Sequence, residues 1–436
     1  MLLPRRLLRP RLAFLNLHFC RLLLGFGLLY GLAVNWARAR SWRDPTSAFF
    51  AEDKAYEPAY SVQRGEQANA FLEHANNNTL PLHFQTKVSA HPTICVGITS
   101  VARRGANYLQ GAVGSVLEGL TAAERGDLYL IVLIAHSNPA EHPAYVEPWL
   151  HTLADKVLLY DPDRVDVEHI RELETPEAKS FAREKGLLDY IYLLRACESV
   201  NTSYTVMLED DVIALDGWYH RTKNALSLAE QQTIEEGVDK WLYLRLFYTE
   251  QFLGWNSEEW PAYLLFSLLA ALGVVAIATA IRHCRPATTA YLPNEIIALL
   301  AFVMTPLLII LFFAAGRITM LSIPAGVHEM PKFGCCSQGL VFPQSRIGDL
   351  VSWYESKRAG YVDMLTEIYA DENNEIRWAL TPSVLQHVGS KSSKTNTPGD
   401  HKHRLTVSET IWNFMFEEND MEQLRREHKQ QAEAEI

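Results

Sequence analysis

The chain has 436 residues, of which 48% are hydrophobic and 21% are charged. This length suffices for one large or two ordinary domains, and the composition excludes collagen-like, coiled-coil and wholly disordered proteins. The formal net charge of −11 comes without a basic stripe, which argues against nucleic-acid binding.

Three segments are long and apolar enough to span a bilayer. The first covers residues 12–34 and follows a basic cluster, which favours an uncleaved signal anchor with residues 1–11 in the cytosol. The second and third, residues 262–281 and 296–316, contain no charged residue. The loop between them, residues 282–295, is short and begins with basic residues, and such loops stay in the cytosol.

This arrangement predicts a lumenal domain that is interrupted by a membrane hairpin. With the N-terminus in the cytosol, residues 46–259 and 317–416 lie on the lumenal side, as does the charged tail 417–436. Sequons for N-glycosylation begin at Asn77 and Asn201 in the lumenal part. The alternative is a helical hairpin buried in a soluble core, but uncharged runs of this length are typical of membrane spans.

The cysteines divide according to this topology. One of the 6 lies in the first apolar segment and one in the cytosolic loop, while the others are lumenal. An oxidising compartment favours one or two disulfides among them, and the pairing stays open. No CxxC spacing or His/Cys cluster predicts a zinc site. The lumenal cysteines are Cys95, Cys197, Cys335 and Cys336.

The lumenal sequence alternates short apolar runs with helical patterns. Residues 94–100, 128–135 and 157–160 are apolar runs typical of buried strands, and residues 109–120 have helical spacing. This alternation predicts an α/β fold with an open sheet, whose ligands bind at the carboxyl ends of the strands.

A run of carboxylates ends the next predicted strand. A helical pattern over residues 184–199 leads into the apolar run 204–208, which stops at Glu209, Asp210 and Asp211. Like charges at the end of a buried strand repel one another unless a cation is present. Mg²⁺ or Mn²⁺ suits such a site, because it accepts one or two carboxylates together with diphosphate oxygens. The alternative is a solvated strand-to-turn junction in which one aspartate caps a helix.

A histidine near the C-terminal end stands in a comparable position. The segment from Thr381 to Gly389 is typical of a strand that contains His387 near its end and is followed by a turn at Gly389. An imidazole at such an edge could join a metal site, although a lone histidine is more often structural. Between the hairpin and this strand, helices are predicted over residues 347–354 and 361–369.

Together these features resemble the post-GPI-attachment N-acetylgalactosaminyltransferase family. The resemblance rests on the anchor, the strand 94–100, the acidic run 209–211, the inserted hairpin and the sequence around His387. It implies a GT-A-type, Rossmann-like glycosyltransferase domain in a multi-pass Golgi membrane protein whose catalytic domain is lumenal. The implied reaction transfers GalNAc from UDP-GalNAc, with inversion, to the first mannose of the GPI glycan on GPI-anchored proteins. The implied cofactor is Mn²⁺ or Mg²⁺.

The resemblance also implies roles for individual residues. Asp211 would ligate Mn²⁺ directly, and His387 matches the C-terminal metal-coordinating histidine of such domains. Glu209 or Asp210 would reach the nucleotide ribose or the water shell of the metal, although the motif reads EDD where the usual form is DxD. Candidates for further nucleotide contacts are Arg103, Arg104, Lys185 and Asp189.

An inverting transfer needs one general base on the face opposite the leaving group. The resemblance places this base on a carboxylate after the hairpin, and Asp363 is the first candidate, with Glu329 and Asp349 as alternatives. For all three, a solvated carboxylate on a helix surface is the competing interpretation.

Two other functions stay open. The segment 363–393 also resembles the end of N-acetylglucosaminyltransferase IV catalytic domains. A different lumenal UDP-sugar transferase, such as a GlcNAc transferase acting on N-glycans, is therefore one alternative. The other is a non-catalytic GPI-binding escort with a degenerate GT-A fold, against which the intact acidic run and His387 argue.

Overall fold

The computed structural model of the chain describes residues 8–85, 91–103, 105–175, 181–238, 240–330, 336–389 and 411–434. Contacts divide the chain into two compact units. The helical unit comprises Met1–Ala55 and Glu250–Ile323, and the sheet unit comprises Tyr56–Thr249 and Pro324–Ile436.

The secondary structure alternates between helices and strands through most of the sheet unit. The helices are α1 (Leu8–Arg40), α2 (Glu52–Ala55), α3 (Tyr60–Asn76), α4 (Leu82–Gln85), α5 (Leu109–Leu117), α6 (Ala122–Asp127), α7 (Pro148–Leu153), α8 (Val167–Leu173), α9 (Gly186–Glu198), α10 (Trp218–Glu235), α11 (Trp260–Cys284), α12 (Asn294–Leu299), α13 (Thr305–Ala314), α14 (Arg317–Met320), α15 (Gln344–Lys357), α16 (Val362–Asn373) and α17 (Met421–Ala434). The strands are β1 (Ile94–Ser100), β2 (Leu128–Ile134), β3 (Lys156–Leu158), β4 (Tyr204–Glu209), β5 (Val212–Ala214), β6 (Trp241–Arg245), β7 (Gly326–Glu329), β8 (Gly339–Pro343), β9 (Ile376–Thr381) and β10 (Leu385–His387).

Three helices of the helical unit have the length and apolar composition needed to cross a membrane: Leu17–Arg40, Glu250–Cys284 and Asn294–Ala314. The apolar segments predicted from the sequence overlap these helices, which supports membrane association. The third runs through α12 and α13, which a single π turn at Leu300–Met304 joins.

The chain segments that follow α1 and α13 are joined by hydrogen bonds inside the helical unit. The Asp44 carboxylate accepts hydrogen bonds from the backbone N–H groups of Thr46 and Thr319, each at 2.8 Å. Gly316 has a φ of +91°, and a Cβ there would overlap the Asp44 carboxylate. A glycine is therefore required at this position.

A mixed sheet of eight strands forms the centre of the sheet unit, in the order β3-β2-β1-β4-β8-β6-β9-β7. The first four strands are parallel to one another, while β8 runs antiparallel to both β4 and β6. The α/β fold class is thus confirmed, and the sheet is mixed. The antiparallel direction of β8 follows from a long-range pairing that no local sequence pattern encodes.

Strand β1 shows why the sheet is covered on both faces. Ile94, Val96 and Ile98 belong to the core cluster that includes residues of α3 and α5. Cys95 belongs to the opposite cluster, which contains much of α9. Gly97 lies on that same face, and a Cβ there would meet the Leu193 side chain at 2.9 Å. Because both faces are buried, the sequence of β1 is apolar up to Ile98 and ends in two small polar residues.

A disulfide joins Cys95 in β1 to Cys197 in α9, with a Cα–Cα distance of 5.7 Å. This result settles one of the pairings that the sequence left open. Cys336 is also disulfide-bonded, and Cys335 lies outside the described residues. The free cysteines among the described residues are Cys20 and Cys284.

Removing this disulfide should destabilise the sheet unit. The disulfide joins residues that are 102 positions apart, so it closes a long loop and restricts the unfolded chain. Replacing Cys95 and Cys197 by alanine should therefore lower the free energy of unfolding by about 4–5 kcal/mol. Denaturant unfolding followed by fluorescence measures the change. Cys284→Ala is the matched control, because that thiol is free and exposed. Equal stability of the double variant and the control would contradict the prediction.

Candidate active site

The acidic run lies in a tight turn between two strands. Strand β4 ends at Glu209 and β5 begins at Val212, so Asp210 and Asp211 form the connection. Strand β5 pairs antiparallel with β10, and Val212 is opposite His387. The backbone N–H of Val388 also donates to the Asp211 carbonyl at 2.8 Å. This small second sheet brings the C-terminal histidine to the acidic turn.

Asp211 and His387 form a buried pair. His387 Nε2 lies 3.5 Å from Asp211 Oδ2, while Asp211 Oδ1 and His387 Nδ1 have no hydrogen-bond partner among the described residues. Gly389 is adjacent, and a Cβ there would overlap the Asp211 carboxylate and approach His387 Nε2 at 2.9 Å. A carboxylate and an imidazole with unsatisfied atoms suit Mn²⁺ or a similar divalent cation. These residues therefore fit the metal that the sequence predicted.

Asp210 is held by a different set of partners. Arg103 Nη1 donates to Asp210 Oδ1 at 2.6 Å, and Arg103 Nη2 donates to Asp211 Oδ2 at 3.2 Å. The Ser100 hydroxyl donates to Asp210 Oδ2 at 2.5 Å. Strand register explains this proximity, because β1 and β4 are parallel neighbours in which Thr99 is opposite Glu209. The Arg103 guanidinium thus balances part of the charge of the acidic turn.

A chain of hydrogen bonds continues from Ser100 to His142. His142 Nδ1 accepts from the backbone N–H of Ala144 at 3.2 Å, so Nε2 carries the proton and donates to Ser100 Oγ at 2.9 Å. Burial, with added repulsion from His136 and Arg103, lowers the pKa of His142 to about 4. The imidazole is therefore neutral at physiological pH, and it orients the Ser100 hydroxyl toward Asp210.

The protein environment shifts the pKa values of Asp210 and Asp211 in opposite directions. Burial, reinforced by the charge of Asp211, raises the pKa of Asp210 to about 6 despite the Arg103 guanidinium. Burial would also raise the pKa of Asp211, but its contacts with His387 and the charge of Arg103 outweigh that effect and lower it. Asp211 is therefore the more readily ionised of the two carboxylates, and it is available to a cation.

A cavity of about 130 Å³ opens beside the acidic turn. Glu209 lies on its wall and accepts a hydrogen bond from Ser337 Oγ at 2.7 Å and a longer one from Gln338 Nε2 at 3.4 Å. Asp363 lines the same cavity. The wall residues are Thr99, Val101, Arg103, Lys185, Gly186, Asp189, Tyr190, Glu209, Asp210, Ser337, Tyr361, Val362 and Asp363.

Lys185 and Asp189 line this cavity and also bind each other. Lys185 Nζ donates to Asp189 Oδ2 at 2.9 Å and to the Ala135 carbonyl at 2.8 Å, and both side chains are buried. The Tyr160 hydroxyl donates to the other oxygen of Asp189 at 2.5 Å. This network gives both residues a structural role at the cavity wall, while their contact with a nucleotide stays a prediction. Arg104 lies outside the described residues.

The three candidates for the general base lie in different surroundings. Asp363 is half-buried at the start of α16. Asp349 is exposed on α15 and lies 3.6 Å from Arg346, and Glu329 is exposed at the end of β7. Of the three, Asp363 is the one that lines the cavity beside the acidic turn.

The glycosylation predictions fall on accessible side chains. Asn77 follows α3 and Asn201 follows α9, and both are exposed. Their modification stays a prediction.

Sequence reasoning missed several residues that position the site. Ser100, His142, Ser337 and Gln338 hold the carboxylates of the acidic turn. Ser100 carried a weak signal, because it is a small polar residue at a strand end. The others carried none, since their roles depend on which segments the fold brings together.

Replacing Gly389 by alanine should disrupt the Asp211–His387 pair. The new methyl group would overlap the Asp211 carboxylate, and displacement of a reactive group by about 1 Å costs on the order of 100-fold in rate. Steady-state glycosyl transfer measures the loss. Gly126→Ala is the matched control, because a Cβ there meets nothing within 4 Å. Similar transfer rates for Gly389→Ala and Gly126→Ala would contradict the prediction, because they would show that glycosyl transfer does not depend on the position of the Asp211 carboxylate.

Comparisons with known proteins identify the family of this chain. The family model for GPI-N-acetylgalactosamine transferase PGAP4 matches residues 94–386, which include the acidic turn and end one residue before His387. The chain is also 26% identical over 196 residues to zebrafish (Danio rerio) alpha-1,3-mannosyl-glycoprotein 4-beta-N-acetylglucosaminyltransferase B, covering 41% of this chain and 33% of the relative.

A mouse (Mus musculus) relative, the corresponding enzyme C, is 30% identical over 132 residues, which is 27% of each chain. The chain thus spans about a quarter to a third of the length of these curated relatives. Since the family model covers about two thirds of the sequence, the chain belongs to the GPI-N-acetylgalactosamine transferase PGAP4 family.

Proposed function

We propose that the protein is a metal-dependent, inverting glycosyltransferase of GT-A type that transfers GalNAc from UDP-GalNAc to the first mannose of the GPI glycan on GPI-anchored proteins. The observation that carries this proposal is the buried Asp211–His387 pair at the carboxyl end of β4. The family match supports the choice of donor and acceptor.

The diphosphate–sugar end of the donor would lie at the cavity of about 130 Å³ beside the acidic turn, and the rest of the donor would extend beyond this cavity, which is too small for a whole UDP-sugar. Asp211 and His387 would hold the Mn²⁺ ion, which when bound neutralises charge on the diphosphate leaving group. Arg103 already contacts Asp210 and Asp211, so its guanidinium is placed to meet a phosphate oxygen as well. Glu209 faces the same cavity and offers a carboxylate to ribose hydroxyls.

A second, larger cavity of about 450 Å³ suits the acceptor glycan. It is lined by aromatic and amide side chains, which pack against sugar rings and bind their hydroxyls. Two residues next to the metal-binding pair contribute to its wall: Ile213, two positions after Asp211, and Val388, directly after His387. The Arg103 guanidinium lies 5.2 Å from the ring centre of Tyr108, which lines this cavity. Its other polar or aromatic wall residues are Tyr56, Ser61, Asn69, Asn107 and Trp412.

The reaction would proceed as a single displacement. A mannose hydroxyl oxygen forms a bond to the anomeric carbon of GalNAc, while the bond from that carbon to the diphosphate oxygen breaks and its electron pair leaves with UDP. Asp363, in the half-buried cavity wall, would accept the hydroxyl proton as the general base. Attack on the face opposite UDP inverts the anomeric configuration.

The chain would act as a multi-pass Golgi membrane protein with the sheet unit in the lumen and glycans on Asn77 and Asn201. A disulfide in the sheet unit is in keeping with an oxidising compartment. The predicted boundaries, with spans at residues 12–34, 262–281 and 296–316, are part of this proposal.

A second candidate function is a GlcNAc transferase that acts on N-glycans. It is favoured by the matched relatives, whose names describe N-acetylglucosaminyl transfer to mannose of glycoproteins. The same site would serve either donor, because both are UDP-sugars. A non-catalytic escort that binds GPI glycans is a third alternative.

Donor and acceptor panels separate these functions. Detergent-solubilised full chain is incubated with Mn²⁺ and UDP-GalNAc, UDP-GlcNAc, UDP-galactose or UDP-glucose, and with either a GPI-mannose glycan or a biantennary N-glycan. We expect transfer from UDP-GalNAc to the GPI glycan alone. Transfer from UDP-GlcNAc to the N-glycan would favour the second function, and GPI-glycan binding without any transfer would favour the escort.

A further inference from the structure

A cluster of metal-ligating side chains lies apart from the acidic turn. Glu124 in α6, His220 in α10 and His428 in α17 are all buried, and each offers a ligand atom within 4.8 Å of the other two. We propose that these three residues bind one zinc-type divalent cation that fastens the C-terminal helix α17 to α6 and α10. This proposal does not depend on the proposed function.

The ligand atoms are spaced almost as a bound ion requires. His428 Nε2 lies 3.0 Å from both oxygens of Glu124. Ligand atoms that surround a tetrahedral Zn²⁺ at about 2.0–2.1 Å are separated by roughly 3.3 Å. The spacing of His428 and Glu124 is therefore close to that of two ligands of one ion, and a rotation of the His220 side chain, whose ligand atom lies within 4.8 Å of both, would complete the site.

The orientation of His428 matches the usual support of a metal-bound histidine. Its other nitrogen, Nδ1, lies 2.7 Å from Asp216 Oδ1, whose side chain is fully buried. A carboxylate that accepts the Nδ1 proton leaves the Nε2 lone pair directed away from it, here toward Glu124. A nitrogen that faces a carboxylate at this distance requires either a proton or a metal cation between them.

The surroundings of His220 favour a bound metal over a proton shared between His428 and Glu124. A proton between His428 and Glu124 would satisfy those two groups, but it would leave His220 Nδ1 buried without a partner among the described residues. Such an atom costs about 1–3 kcal/mol. His220 Nε2 lies 3.5 Å from Glu427 Oε1, which supports the ring from its other side. A metal would use the remaining nitrogen.

The backbone is adapted to this placement of His220. Gly217 precedes α10 with a φ of +78°, and a Cβ there would overlap the His220 ring. Two imidazoles and one carboxylate form a donor set that Zn²⁺ prefers, whereas Mg²⁺ and Ca²⁺ prefer oxygen alone.

The site would explain how α17 is held. The buried side chains of this helix are Leu424 and His428, so it buries little apolar surface. Its long-range polar contacts among the described residues are mostly ionic, and they include those from Arg425 to Glu118 and Asp216 and from Glu427 to Arg221. A cation shared by three helices would add a cross-link that the apolar contacts of α17 do not supply.

Zinc uptake by the full chain tests this proposal. The detergent-solubilised protein, without a histidine tag and with Asp211→Asn to remove the other divalent site, is stripped with EDTA and titrated with Zn²⁺. We expect one Zn²⁺ per chain by mass spectrometry after desalting, and visible absorption when Co²⁺ replaces it. EDTA should also accelerate proteolysis within α17.

Two variants make the assignment specific. Glu124→Gln keeps the hydrogen bonds of the capping box with Thr121, and His220→Ala removes one ligand; each should weaken Zn²⁺ binding at least about 100-fold. His151→Ala, on the exposed face of α7, is the control. Absence of Zn²⁺ uptake in the parent protein, or equal affinity in parent and both variants, would overturn the proposal and leave a proton-bridged ion pair.

Discussion

Replacing Asp211 by asparagine should reduce glycosyl transfer by roughly 100-fold or more, since electrostatic stabilisation of the leaving group is the main contribution of such a site. The asparagine side chain would keep the size of the aspartate but lose its charge next to His387, which lies 3.5 Å from Asp211. Initial rates at several Mn²⁺ concentrations measure the effect. We expect the apparent affinity for Mn²⁺ to fall together with the maximal rate.

The control for this variant is Asp163→Asn, which changes an exposed aspartate of the same unit. Far-ultraviolet circular dichroism and denaturant midpoints establish that both variants are folded. If Asp211→Asn retained normal rates at low Mn²⁺, Asp211 would not be a metal ligand, and the Asp211–His387 pair would be structural.

Replacing Asp363 by asparagine should lower kcat by about 10²–10⁴-fold, the range expected for loss of a general base. The side chain also has a structural contact, because Asp363 Oδ1 accepts the backbone N–H of Met364 at 2.8 Å at the start of α16. Asparagine retains an acceptor for that bond but cannot take up a proton. The substitution therefore separates catalysis from helix stabilisation.

The other two candidates for the base serve as matched variants. Asp349→Asn and Glu329→Gln change exposed carboxylates, and we expect each to leave kcat within about twofold of the parent value. The KM for the UDP-sugar should change little in Asp363→Asn. A large loss of kcat in Glu329→Gln or Asp349→Asn, with none in Asp363→Asn, would move the base to that residue.

Local patterns in the sequence predicted the first half of the sheet closely. The predicted run 94–100 coincides with β1. The predicted run 128–135 extends one residue beyond the end of β2, and the predicted run 204–208 stops one residue before the end of β4. The helical pattern over 184–199 contains α9. These elements are buried on both faces, so their continuous apolar sequences are informative by themselves.

The candidate site was predicted less completely. The acidic run at the end of β4 stands out because three adjacent carboxylates are unusual after a buried strand. Its partner His387 was identified through a resemblance, and the pairing of β5 with β10 gives the physical reason for their proximity. The support of Asp210 by Ser100 and His142 could not be predicted, because it joins residues on three separate segments.

By itself, the sequence determined the class of this protein: an α/β domain with three segments apolar enough for a membrane and a carboxylate cluster at a strand end. These features depend on composition and short-range periodicity, which are local properties of the chain. Only the tertiary structure decided the antiparallel direction of β8, the pairing of Cys95 with Cys197, and the meeting of Glu124, His220 and His428. Each of these joins residues distant in sequence, and such contacts are selected by packing of the whole fold rather than by any local pattern.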